Sequence, residues 1–525
     1  MKKYTLFILL FIGAFTIDAQ DISMVKSEIF KDSKKNSYLE YSLEDSNGGL
    51  ITIRSFYGGI GKKLQGYYIQ HFDPKLKLIK ETEYEVDKNN VLKNAFIKDN
   101  QLHLIQYIIS KKEDKISFNV SSADLSNLKF STKEILTLSE KNQKKYFGVM
   151  IFPFIISNIS QYDSDHAGEI IMSKNNNFFA INFDINNKDK ETHKIFVFNK
   201  NFEQIYEQLI QKNIKDKYFD YNSIDIDDTD GTVYFLGKAF ENKSRKSKKN
   251  KKTNYHFEIY KIDANGQTNI SFKNDTKFIS SLELIKFKDR LACIGFYGDK
   301  DESKINGVSL FNLNPETLEI QKKKFTPFSK QFLSDKYGDK KGKKDRKQKN
   351  GIKNIDFKSL NVMDNGDIVL NAEEFYETTH TSMSAGGGST TYTVYHFDDI
   401  MSLRLNKEGD LKWARNINKR QTGFINSSYT SITVGEDSYF FINCSDNIKK
   451  LSAGRIAFKQ TKAKKSNLYV IKINQEGNFN FKKLIDDKES KVYYKVNSGI
   501  INLDRQTVVL TGKRKKKSRI LKLKI

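Results

Sequence analysis

Polar turns and short apolar stretches alternate along this chain in a unit that recurs from end to end. A polar turn leads into about four apolar residues, often closed by a small residue. After a variable gap come a second apolar stretch, a turn of the type N/D-x-x-G, and a third stretch. The pattern is clearest where DTDGTVYFLG (Asp228–Gly237) precedes FEIYKIDANG (Phe257–Gly266). It returns as DNGDIVLNA (Asp364–Ala372) with MSLRLNKEG (Met401–Gly409), and as EDSYFFINC (Glu436–Cys444) with LYVIKINQEG (Leu468–Gly477). Repetition of this kind decides a fold before any single residue does.

Aligning the second apolar core of each unit gives eight positions, beginning at Leu50, Leu102, Phe178, Val233, Leu291, Ile368, Tyr439 and Val508. Their mean spacing is about 65 residues, longer than the usual propeller blade of roughly 40–50. The connections at Asp73-Pro74, Asp263–Gly266, Asn314-Pro315, Asn406–Gly409 and Asn474–Gly477 carry the residues that tight hairpins require. Sustained helical periodicity is missing; Phe202–Lys212, the best candidate, also reads as a fourth strand. Four short antiparallel strands per unit, repeated around a ring, predict an all-β β-propeller of eight blades, with seven as the alternative count. A pair of separate β-sandwiches is the rival, and the even repetition argues against it. The last unit lacks a fourth strand, and Ile22–Lys31 offers a spare one. Pairing the two would close the ring and remove its exposed edges.

Residues 1–19 have the form of a signal peptide: Lys2 and Lys3, an apolar run Leu6–Phe15, and a small residue at Ala19. Residues 20–525 then form a single propeller domain, expected to be exported and periplasmic or outer-membrane associated. Gly148–Ile156 is the longest later apolar run and is too short to span a bilayer, so no transmembrane segment is expected in the mature chain. At the level of architecture the chain resembles exported bacterial β-propeller repeat proteins.

The excess length falls mainly in insertions at 241–254, 331–353, 376–399, 445–467 and 513–518, with a further one at 141–166. Second-to-third and fourth-to-first strand loops emerge on one face of a propeller, so these insertions are expected to share a face. Formal charge is +25, and three runs concentrate it there. One run holds Lys243, Arg245, Lys246, Lys248 and Lys249. The next holds Lys340, Lys341, Lys343, Lys344 and Arg346. The third holds Lys513, Arg514, Lys515 and Lys516. Lysine-rich loops are commonly just solvated. Their convergence on one face predicts instead a mobile basic surface that attracts an acidic protein, an outer-membrane complex, an anionic glycan or lipopolysaccharide. Nucleic acid is not expected, because no aromatic reader motif accompanies the lysines. The SAGGGS stretch Ser384–Ser389 reads as a flexible loop or lid.

Catalytic signatures are sparse. Asp225–Gly231 (DIDDTDG) departs from the EF-hand pattern at Ile226 and Gly237 and reads as a turn. Asp163, Asp165, His166 and Glu169 form one cluster of possible metal ligands. Glu373, Glu374, Asp398 and Asp399 are carboxylates whose separation a sequence does not reveal. GDLKWARNI (Gly409–Ile417) resembles the fourth strand of quinone-cofactor propellers, but this chain has one Trp and no adjacent Cys pair, so that resemblance extends to fold only. No cofactor is expected. The leading expectation is a non-enzymatic binding module, a periplasmic subunit or plug of an outer-membrane secretion or transport complex. The alternatives are a glycan-binding or glycan-cleaving propeller and a metal enzyme at the Asp163 cluster.

Overall fold

The computed structural model describes residues 22–139, 168–338 and 352–525, except 33, 35–36, 60–62, 88, 111, 186, 188, 247, 250–251, 300–303, 353, 384–388, 424–426, 452–454, 461 and 463–464. The signal-peptide segment, the Asp163–His166 cluster and the basic run at 340–349 lie outside the described residues.

Eight antiparallel sheets follow one another as blades of a propeller. Blades 1 to 7 span 37–85, 90–139, 169–212, 219–272, 278–327, 355–422 and 429–485. Blade 8 spans 493–524, and Ser23–Lys26 joins it as its outermost strand. All eight second strands fall where the apolar pattern put them, from Leu50–Gly58 to Thr507–Arg514. They form because short apolar runs, rich in aromatic and β-branched residues, are bounded by turn residues. These strands are buried on both faces, as in Val233–Phe240, where every residue is buried.

Each sheet is sandwiched between two others. Eight apolar clusters fill the eight blade interfaces, one to each. The interface between blades 8 and 1 is the poorest, with five buried apolar residues: Leu50, Phe72, Leu76, Val509 and Ile520. Polar links supplement it. Thr507 donates to Glu44 at 2.5 Å, and Lys522 lies 3.7 Å from the same carboxylate. The closing strand adds a backbone ladder, Ser23↔Lys524 through Lys26↔Leu521, and Phe30 bridges to Ser518.

The innermost strands carry a shared irregularity. In blades 1, 2, 4, 5 and 6 the register to the second strand skips one residue: Glu40, Lys93, Asn222, Ser280 and Lys358 respectively. Such a bulge bends the strand and re-aims a side chain.

The insertions take distinct forms, and one of them is corrected. The SAGGGS tip at 384–388 lies outside the described residues, and the arms that flank it within 376–399 are strands. Ile368–Met383 and Ser389–Leu405 run on as a flush hairpin, with Thr379↔Thr393 and Thr381↔Thr391 in register, because Thr-rich arms favour extended backbone. Within 331–353 lies a helix, α1 (Lys330–Tyr337), capped by the Ser329 hydroxyl, which accepts from the Phe332 amide. Within 445–467, Ile456–Lys459 pairs in parallel with the outer strand of blade 6. The 513–518 stretch is no insertion: two strands meet in a tight turn at Lys515-Lys516.

Among the described residues no helix is long and apolar enough to cross a membrane. The suspected calcium loop is a turn between strands, in which Asp227 and Asp230 accept the amides of Thr229 and Thr232. Trp413 also acts structurally: its indole donates to the Gln475 carbonyl and packs on Gly477, which has φ 82°.

Two measurements test this architecture. Deleting residues 22–31 exposes the edge of blade 8 at the poorest interface. The expected loss is at least ~3 kcal/mol with aggregation, read by thermal melting; an unchanged melting temperature would sink the closure claim. Cys293 and Cys444 are buried in blades 5 and 7, and burial pushes the Cys444 thiol up to about 12 and that of Cys293 higher still. Thiol titration should therefore find neither reactive in the native chain and both reactive after denaturation.

Candidate functional site

The extra structure is one-sided. Turns joining first to second and third to fourth strands have only two to six residues. The opposite face, formed by the other two connections, carries the basic hairpins of blades 4 and 8, helix α1, the long hairpin of blade 6 and the 445–467 insertion.

A charged cluster fastens these elements to blade 6. Phe332 of α1 is fully buried and stacks on Phe328, with ring centroids 4.4 Å apart, anchoring the helix in the core. Lys336 lies 2.7 Å from Glu374 and 2.9 Å from Asp399. Burial disfavours its charge, but the two carboxylates outweigh that and hold its ammonium above the ordinary lysine range. Asp335 accepts from Arg415 at 2.6 Å. Arg455 of the blade 7 insertion donates to the Lys336 carbonyl at 2.9 Å.

Beside this cluster, Glu373 and Lys419 are both fully buried, 2.5 Å apart. Ser428 donates to the second Glu373 oxygen at 2.7 Å, and Lys358 bridges it to Asp356, at 3.5 and 2.9 Å. Burial pulls the Lys419 ammonium below its ordinary range. Glu373 and Glu374 are thus engaged by different lysines. Asp399 is engaged too, accepting from the Asn416 amide group at 2.9 Å, and Asp398 accepts from Tyr376 at 3.2 Å. These four carboxylates are structural partners rather than an acid–base pair facing an open cleft.

Carboxylates also meet across the inner strands. Glu283, on the innermost strand of blade 5, is pushed up to about 8 by burial and then by the charges of Asp356 in blade 6 and Glu169 in blade 3. Three carboxylates from three blades influence one another because the ring brings the inner strands together. Glu40 of blade 1 is likewise raised by burial.

The basic residues are placed as follows. Lys243, Arg245, Lys246 and Lys248 are exposed on the blade 4 hairpin, where Lys248-Lys249 pairs with Lys252-Thr253. Arg245 is committed locally: it lies 2.6 Å from Asp220, donates to the Lys217 carbonyl and covers the Phe240 ring. Lys513, Arg514, Lys515 and Lys516 are exposed at the tip of blade 8. Lys513 lies 3.2 Å from Asp32, in the segment after the closing strand, and Arg514 covers Tyr493. In a ring of eight, blades 4 and 8 stand opposite one another, so the two basic tips flank the same face from opposite sides. Lys340, Lys341, Lys343, Lys344 and Arg346 are outside the described residues.

Sequence reasoning missed α1 and the groove between blades 1 and 2. The helix had a signal, Ser329 before it and Gly338 after it. The groove has a volume of about 640 Å³. Phe56, Tyr84, Glu83, Asn90, Gln106 and Asn119 line it. Two groups of described residues offer three closely spaced metal-ligand atoms: Asp446, Asp486 and Asp487, of which the first two are paired with Lys483, and a buried group in blade 3.

Glu283 makes a pH prediction. Folded, it keeps its proton up to about pH 8; unfolded, it releases it in the ordinary carboxylate range. Between those limits the native state binds more protons, so this group's contribution is most favourable at low pH and is lost as pH rises through about 8. Glu283→Gln should leave the melting temperature near wild type at about pH 5. At about pH 9 it should gain ~1–2 kcal/mol, well short of the full linkage value because the side chain is partly exposed. Parallel melting curves for the two proteins at both pH values check this.

No family model matches the chain, and no curated protein does. Solved structures are similar at low identity. The β-propeller domain of the Trilobed protease from Pyrococcus furiosus matches at 11% identity and TM-score 0.36, over 88% of this chain and 98% of that one. Prolyl oligopeptidase B from Galerina marginata matches at 8% and 0.38, over 91% and 55%. Pyrococcus horikoshii acylaminoacyl peptidase matches at 11% and 0.35, over 92% and 58%. The chain spans little more than half the length of the latter two proteins.

Proposed function

We propose that this protein is a non-enzymatic binding module that docks an acidic partner on its built-up face. Its setting is the cell envelope, as a periplasmic subunit or plug of an outer-membrane secretion or transport complex. The one-sided elaboration of the ring carries this reading: helix, long hairpin and basic tips all rise from one face, while the other keeps minimal turns. A rigid ring that holds projecting segments in fixed relation suits recognition. The signal-like first residues support the envelope setting. Exposed lysines on opposite sides of the face act chiefly on encounter rate, since surface charges steer association more than they hold it. The groove between blades 1 and 2 favours a second reading, a glycan-binding propeller. Its aromatic, amide and carboxylate lining has the chemistry that recognises sugar hydroxyls.

Cross-linking in intact envelopes, followed by identification of the attached protein, supplies the partner. Binding is then measured across a salt series. Replacing Lys243, Lys246, Lys248, Lys515, Lys516 and the lysines of 340–349 with Ser should slow association and flatten its salt dependence while folding is kept. Arg245 and Lys513 are left in place because they hold local structure. Unchanged affinity and salt slope would reduce these lysines to solvated surface and move the glycan reading ahead.

A further inference from the structure

Blade 3 holds a group of buried donors that the basic-face reading does not use. Asp184 ends its second strand, and Glu191 and His193 open its third. Asp184 and His193 are directly opposite in the ladder, and Glu191 precedes His193 by two, so all three side chains leave the same face of the sheet. That face packs on blade 4, where the His193 ring meets Phe235 edge-on at 5.0 Å and Tyr221 at 5.8 Å. The three residues are 5, 4 and 1% exposed. One ligand atom from each lies within 4.8 Å of the others. An ion bonded at about 2.1 Å keeps neighbouring ligand atoms roughly 3–4 Å apart, so small side-chain rotations suffice to close the set.

The histidine is oriented as a ligand. Its Nδ1 lies 3.0 Å from the Asn182 side-chain oxygen, and its Nε2 lies 2.9 Å from Glu191 Oε1. A ring that donates through Nδ1 to an amide oxygen turns the Nε2 lone pair toward the carboxylates, the arrangement by which a second partner fixes a metal-binding imidazole. In that tautomer Nε2 and Glu191 share a cation, either a proton or a metal ion. Lys212, opposite Glu191 on the next strand, is paired with Glu258 of blade 4.

We propose that Asp184, Glu191 and His193 form a divalent-metal site that clamps the second and third strands of blade 3 at the built-up face. One imidazole and two carboxylates suit Zn²⁺, Mn²⁺ or Co²⁺ better than Ca²⁺, which takes oxygen ligands, or Cu⁺, which takes thiolates. The role is structural, because the donors are enclosed between two blades. Metal binding then adds to the stability of the fold.

The test titrates the chelator-treated full chain with Co²⁺, following visible absorption and the melting temperature together. One equivalent per chain should produce a d–d band and raise the melting temperature. The band should disappear in His193→Gln and in Asp184→Asn, but persist in Asp446→Asn on blade 7. No stoichiometric band in the wild-type chain, or a band that survives His193→Gln, overturns the proposal and leaves the Nε2–Glu191 contact as a proton-bridged ion pair. A variant-free reading covers the case in which the substitutions prevent folding. In wild-type chain labelled at the histidine nitrogens, Zn²⁺ should shift the Nε2 signal of one of the seven histidines, and no shifted signal defeats the site.

Discussion

Every sheet in this ring has two apolar faces, and neither can be left to water. That constraint organises the molecule. A four-stranded sheet buried on one side only would expose its Phe, Ile and Tyr side chains, each worth roughly 1.5–3 kcal/mol when buried. Stacking blades in a line would leave two such faces at the ends. Closing the line into a ring leaves none, provided that the last interface is made. The last interface is the one with the fewest apolar residues, between blades 8 and 1. There the fold relies on backbone pairing by Ser23–Lys26 and on polar contacts such as Thr507 with Glu44. Seven interfaces are hydrophobic in the ordinary way, and the eighth is a latch.

Around blade 6 a different logic holds. Glu373 with Lys419 is a buried ion pair, and Lys336 with Glu374 and Asp399 is a partly buried one. Removing such charges from water costs several kcal/mol per ion, so pairs of this kind add little net stability compared with well-packed apolar groups. They do specify geometry. Lys336 has one position that satisfies both carboxylates, and this position fixes α1 on the long hairpin. The same blade thus holds its projecting parts in register by electrostatics rather than by apolar contact alone.

The blades were legible in the sequence because their signals are local. Leu50, Val233 and Ile368 each open an apolar run preceded by turn residues, and turns such as Asn406–Gly409 need only neighbouring residues to form. The spare strand at Ile22–Lys31 was legible by subtraction from the last unit. What escaped depends on distance in the chain. Glu169, Glu283 and Asp356 belong to three blades, and only the closed ring makes them neighbours. The bulges at Glu40, Asn222 and Lys358 leave apolar alternation nearly intact, so the pattern does not betray them. Helix α1 is only two turns long, too short to establish a period of 3.6. The tip SAGGGS drew attention to flexibility, while the Thr-rich arms beside it were a strand signal of ordinary strength. Of the basic runs, composition identified the charge but not that Lys513 and Arg245 are committed to neighbours within the fold.

The latch has a consequence for how the chain reaches this shape. Ser23 and Lys524 are roughly 500 residues apart in sequence, so the final pairing is about as non-local as the chain permits. Each blade is a local meander that can assemble early, whereas the closing ladder must wait for every other blade. The entropy of closing so long a loop grows only slowly with length, so waiting costs time more than free energy. Until that moment the ring is an open arc with a bare apolar sheet face at each end and an unpaired strand edge on blade 8, the state most prone to pair with another copy. The exposed Lys515, Lys516 and Lys517 at the tip of blade 8 give that arc a repulsive end. Like charges there disfavour edge-to-edge pairing of two unfinished chains.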